Sequence, residues 1–143
     1  IPATNQTPAN VVLGQVDGVT LKKLAHGLNN PSGSWSDGTR LVVADADNDL
    51  FLSAASCWEI AIKSGLGKIR FSGPCERIIP EQMQRLSIQP LPVLPAHALH
   101  VARLKPLHRD PFDRLLVAQS RLESLPILTP DPLIKAYGVE TVW

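Results

Sequence analysis

From Leu50 onward, short apolar runs alternate with amphipathic stretches, and prolines stand at or near the start of several of those stretches. Proline fits the first turn of a helix, where its missing N–H costs nothing, and breaks a helix elsewhere. The alternation therefore cuts the chain into short elements with few possible boundaries. Leu50–Ser53 reads as a strand, followed by a helix through Ser56–Lys63 that ends near Gly65 and Gly67. Pro80–Leu86 reads as a short helix with proline in its first turn. Ile88–Leu94 is extended and proline-broken, which suits an edge strand better than a central one. Pro95–Leu104 and Pro111–Ser124 read as helices, and in the second Phe112, Leu115, Leu116, Gln119 and Leu122 share a face on which Gln119 is the polar exception. Ile127–Thr129 reads as a strand, Pro132–Tyr137 as a brief helix and Val139–Trp143 as a last strand. Strands alternating with helices predict an α/β fold, a parallel sheet flanked by helices.

Residues 1–47 have another character. They are rich in Asn, Gly, Pro, Thr and Ser, with apolar runs only at Val11–Leu13 and Leu41–Ala44. Between those runs Leu21, Leu24, Ala25 and Leu28 are spaced for one amphipathic helix, and Pro31 to Gly38 is turn chemistry throughout. The expected organisation is thus a segment 1–47 joined to a domain 48–143.

The chain of 143 residues is long enough for one domain with a real core. Its formal charge of +1 leaves any nucleic-acid binding to a local basic face. Two cysteines, neither in a CxxC pair, point to a reduced, cytoplasmic setting rather than a disulfide scaffold. No run approaches the roughly 20 apolar residues of a membrane span, and no signal peptide is recognisable.

Three acids fall at matching places in this pattern. Glu59 follows the strand Leu50–Ser53, Asp113 opens the helix that leads into Ile127–Thr129, and Asp131 stands just beyond that strand. If the strands are parallel, all three meet at their carboxyl ends, where open α/β sheets bind ligands. Gathered carboxylates repel unless a cation neutralises them, and oxygen ligands of this kind suit Mg²⁺ or Mn²⁺. Such an ion activates water for attack on a phosphodiester. Each acid also has a plainer reading: Glu59 as part of a capping box with Ser56, Asp113 as a dipole partner behind the N-cap Asp110, and Asp131 as a cap before Pro132.

The run from Phe51 to Lys63 with Gly67-Lys68-Ile69, the run from His108 to Gln119, and Ile127 to Asp131 with Ile134 and Tyr137 resemble, in order, successive segments of VapC-type PIN-domain ribonuclease toxins. The resemblance implies an α/β PIN fold, metal-dependent endoribonuclease activity with Mg²⁺ or Mn²⁺, a homodimer and a cognate antitoxin. It carries catalytic and metal-binding roles onto Glu59, Asp113 and Asp131. Arg109, Arg114 and Lys63 lie near the same rim as candidates for RNA phosphate contact, with solvated helix-surface charge as the other reading of Lys63 and Arg114.

The family's first strand ends in an aspartate and precedes two helices, and residues 1–47 do not show that pattern. Asp45 follows Leu41–Ala44 but leaves no room for a parallel crossover before Leu50, so a hairpin is the natural reading there. Asp17, after Val11–Val16, does leave room. Against that, Asn10–Asp17 and Leu28–Asp45 resemble pieces of an NHL-type β-propeller repeat. Two readings stand: Asn10–Leu28 rebuilds the missing strand and helix, or it does not, leaving a catalytically incomplete module that acts by protein binding or self-assembly. His97 and His100 lack a third ligand nearby and read as ordinary histidines. Trp58 and Phe112 sit on apolar helix faces and read as core, with base stacking the alternative.

Overall fold

The computed structural model describes the backbone of residues 10–13, 31–36 and 41–45 and the whole of residues 49–142. Its strands are β1 (Asn10–Leu13), β2 (Pro31–Ser36), β3 (Leu41–Asp45), β4 (Asp49–Ser53), β5 (Ile88–Leu91), β6 (Ile127–Leu128) and β7 (Thr141–Val142). Five of them form one parallel sheet in the order β5-β4-β1-β6-β7. The fold is α/β, as the alternation predicts.

The central strand comes from the N-terminal segment. Val11 pairs with Leu50, and Val12 pairs with Phe51 on one side and Ile127 on the other. Of the two readings of Asn10–Leu28, the strand of the first therefore holds over Asn10–Leu13. Asp17 and the expected helix Leu21–Leu28 lie outside the described residues. The connection to β4 carries a hairpin in which β2 and β3 pair antiparallel. Asp45 thus closes a strand of this hairpin, whose partner is the preceding strand. Pro31–Ser36, expected as turn, is strand, with an irregularity between Pro31 and Gly33 that absorbs the mismatch in register.

β4 shows the period-two alternation of a strand covered on both faces. Leu50 and Leu52 join Ile88, Leu128, Ile60 and Ile79 in one core, while Phe51 packs into a second core with Ile127, Leu116, Val117 and Ile134. Helices α1 (Ala54–Gly65) and α2 (Cys75–Arg85) cover the first face. On the second lie α3 (Pro95–His100), a 3₁₀ turn at Val101–Arg103, α4 (Pro111–Glu123) and α5 (Pro132–Lys135). β5 is an edge strand, as its proline predicts.

Element boundaries moved where a cap or a proline decided them. α1 starts earlier than expected because Ser53 Oγ accepts the Ala55 N–H at 3.0 Å, and the turn after it is closed by Gly67 at φ +68°. α2 also starts earlier, and Pro80 lies inside it. Pro80 and Glu76 are both exposed, so water can take the Glu76 carbonyl that Pro80 has no N–H to satisfy. Among the described residues, no helix is long and apolar enough to cross a membrane.

Candidate metal centre at the carboxyl edge of the sheet

The strand order places a topological switch at β1. From β4 the chain moves outward to β5, then crosses back to β6 and moves outward to β7 on the other side. A crevice opens at the carboxyl ends of strands whose connections diverge in this way. Glu59 reaches it from the second turn of α1, Asp113 from the first turn of α4, and Asp131 from the N-cap of α5 directly after β6.

Capping is shared among these acids unequally. Asp110 Oδ1 accepts the N–H groups of Phe112 at 2.8 Å and Asp113 at 3.2 Å, so Asp110 is the cap of α4 and Asp113 is left for other work. Asp131 does both, because Oδ1 accepts the Leu133 N–H at 2.8 Å while Oδ2 lies 2.8 Å from His108 Nε2. Glu59 closes no capping box, since the N-cap is Ser53. Glu59 is instead buried and paired with Lys63, Nζ to Oε1 2.7 Å.

His108, Asp113 and Asp131 offer one ligand atom each within 4.8 Å of one another, a grouping that could hold a metal ion. Glu59 is not in that compact group, but its charge bears on Asp113. Burial first, then the charge of Asp110, push the Asp113 carboxyl up from 3.8 to about 6; Glu59 and Asp131 add to the push and His108 opposes it. Such a crowd of negative charge around a buried carboxyl is a physical reason for a cation to bind.

The basic candidates separate. Lys63 is the partner of Glu59. Arg114 is half-buried, and its guanidinium is engaged with the protein itself. Its Nη1 donates to the Lys105 carbonyl at 2.9 Å and to Tyr137 Oη at 3.1 Å, and its Nη2 to the Val101 carbonyl at 3.2 Å. A planar fork of donors suits this clamp on the loop before α4. Arg109 is exposed beside the site.

Two side chains brace the rim from below. Gln119, the polar exception of its helix face, is fully buried; its Oε1 accepts from Ser53 Oγ at 2.5 Å and its Nε2 donates to the Pro92 carbonyl at 3.1 Å. The sequence also gave no role to His108. The one signal for it was its place before an Asp-Pro helix start, where a ring can accept a backbone N–H. Trp58, expected in the core, is 61% exposed and meets Phe112 edge to face with centroids 5.2 Å apart. Helix position drives this: Trp58 precedes the inward-facing Glu59, which turns the indole to the rim. His97, expected at the surface or partly buried, is buried, with Nδ1 accepting the Leu94 N–H and Nε2 2.7 Å from Glu123.

No protein-family model matches the chain. Ribonuclease VapC16 of Mycobacterium tuberculosis (strain ATCC 25618 / H37Rv) is 45% identical over 62 residues, which are 43% of this chain and 44% of that protein. The match thus spans less than half of that relative's length. Among solved structures, FitAB bound to an IR36 DNA fragment matches with 19% identity and TM-score 0.47 over 65% of this chain and 71% of its own. FitAcB from Neisseria gonorrhoeae matches with 19% identity and TM-score 0.49 over 66% of this chain and 75% of its own. Likenesses at this level say nothing about chemistry.

Proposed function

We propose that this chain is a VapC-type PIN ribonuclease, a metal-dependent endonuclease that hydrolyses RNA phosphodiesters. One observation carries the reading: Asp113 and Asp131 meet at the switch point of a parallel sheet, with the charge of Glu59 bearing on Asp113. The similarity to ribonuclease VapC16 supports it. An all-oxygen set of carboxylates fits Mg²⁺ or Mn²⁺, and Glu59, Asp113 and Asp131 would hold the ion. When bound, it would supply a Lewis acid to the scissile phosphate.

The protein's own part is arrangement. Asp110 and the turn Thr129–Asp131 fix two of the carboxylates, since Asp110 caps the turn carrying Asp113 and Thr129 Oγ1 accepts the Asp131 N–H at 3.2 Å. Of the basic candidates Arg109, Arg114 and Lys63, the exposed Arg109 is the most open to an RNA phosphate. The exposed face of Trp58 offers a surface to an unpaired base. A cognate antitoxin, a homodimer and a cytoplasmic setting belong to the same reading.

RNA cleavage with Mn²⁺ or Mg²⁺ tests it. Glu59→Gln and Asp131→Asn should fall to background, and equal cleavage by all three proteins would end the nuclease reading. One observation favours a second reading, an incomplete module that works by protein binding or self-assembly. The described part of β1 is Asn10–Leu13, and no acid stands in sequence between it and Asp17, which lies outside the described residues. Metal-independent self-association or capture of a protein partner, with no cleavage under any divalent ion, is its signature.

A further inference from the structure

We propose that His108 is a positioning residue for the acidic group, donating from Nε2 to hold Asp131 and Asp113 in place without itself coordinating the ion. This rests on the metal-site reading above. His108 Nδ1 accepts the backbone N–H of Asp110 at 3.0 Å. A ring nitrogen that accepts carries a lone pair, so the imidazole proton sits on Nε2. That nitrogen lies 2.8 Å from Asp131 Oδ2 and 3.3 Å from Asp113 Oδ2. It is therefore a donor aimed between two carboxylates and has no lone pair to offer a cation. Coordination through Nε2 would need the proton moved to Nδ1, where it would point at the Asp110 N–H.

The backbone that carries the ring is also held. The His108 main-chain N–H donates to Tyr137 Oη at 3.0 Å, and the same buried hydroxyl accepts from Arg114 Nη1 at 3.1 Å. With the Leu133 N–H on Oδ1 and the His108 Nε2–H on Oδ2, each oxygen of Asp131 has a protein donor and keeps further acceptor capacity for an ion. Ligands already oriented by hydrogen bonds spare the ion the cost of orienting them, and loss of such partners typically weakens metal affinity about 10–100-fold.

Calorimetric titration of Mn²⁺ into the wild-type chain, His108→Ala and His108→Gln tests the proposal, together with pulsed electron paramagnetic resonance for nitrogen coupling to the bound Mn²⁺. Alanine should weaken binding by about 10–100-fold. Glutamine, which keeps an N–H donor at the far end of the side chain, should recover most of it, and the wild type should show no imidazole nitrogen coupling. Coupling that vanishes in His108→Gln would make His108 a ligand and overturn the proposal. So would unchanged or tighter binding by His108→Ala, or a glutamine variant as weak as alanine. A wild type that binds no Mn²⁺ would remove the metal-site reading itself, an outcome distinct from binding that ignores His108.

Discussion

Glu59 and Lys63 face each other one turn apart on α1, Nζ 2.7 Å from Oε1, with the Glu59 side chain only 6% exposed and Lys63 28%. The pair gives a buried carboxylate a counter-charge. Lys63→Met should therefore cost about 1–2 kcal/mol, less than the roughly 3–5 kcal/mol of a fully buried pair because Lys63 keeps contact with water. Mn²⁺ should restore part of that loss by taking over the compensation. Urea unfolding with and without Mn²⁺ measures both, and an identical loss in each condition would separate Glu59 from the ion.

Asp113 gives the site a pH signature. Its carboxyl is raised to about 6 in the fold against an ordinary 3.8, so the native state holds the proton more tightly than the unfolded chain. The stability it contributes is full below about pH 4 and is lost as pH climbs through about 6. Above that, the ionised group strains the fold by an amount on the order of 1–3 kcal/mol. Asp113→Asn should flatten the decline between pH 4 and 6 and raise stability at pH 7.5 in the absence of divalent ions. Denaturant melts across pH check this, while Mn²⁺ affinity of the wild type should fall as pH drops below about 6.

Much of this was legible in the chain because hydrophobic period and proline placement are local. The order β4, α1, β5, α4, β6 followed from them, as did the common edge reached by Asp113 and Asp131. Two things were not legible. Whether Val11–Leu13 joined the sheet depended on pairing with Leu50 and Ile127, partners far away in sequence that any apolar strand could match. The roles of His108, Gln119 and Arg114 depend on which backbone groups come within 3 Å, and residue type alone does not reveal that. Trp58 was misplaced because an apolar residue on a helix was assigned to the core when the neighbouring Glu59 held the inward position.

Gln119 links the ends of β4 and β5, through Ser53 Oγ and the Pro92 carbonyl. Gln119→Leu matches it in size but leaves the proton of the buried Ser53 hydroxyl without its acceptor and the Pro92 carbonyl without its side-chain donor. The expected loss is about 2–4 kcal/mol, read from thermal or denaturant unfolding. A loss below about 0.5 kcal/mol would mean that the strap carries no net stability.

Arg109 and Arg114 should behave oppositely. Arg114→Lys removes the planar fork that holds the carbonyls of Val101 and Lys105, so it should lower stability and weaken RNA binding only as far as the fold loosens. Arg109→Ala should leave the melting curve within about 0.5 kcal/mol of wild type and weaken binding of a non-cleavable RNA, with a shallower dependence on salt. Paired unfolding and binding isotherms decide it. Selective loss of RNA affinity in Arg114→Lys at unchanged stability would reverse the assignment.

Among the described residues the flanks of the sheet, β5-β4 and β6-β7, share no ladder of their own, and β1 pairs with both. Neighbouring strands sit about 4.8 Å apart, so β4 and β6 stand about 10 Å from each other with one strand between them. The spacing of the strands that lead into α1 and α5 is consequently a backbone quantity, gauged by the four residues of β1. Losing residues 10–13 would take away the strand that spaces the two banks, leaving side-chain packing such as that of Leu50 and Leu52 with Leu128 to join them.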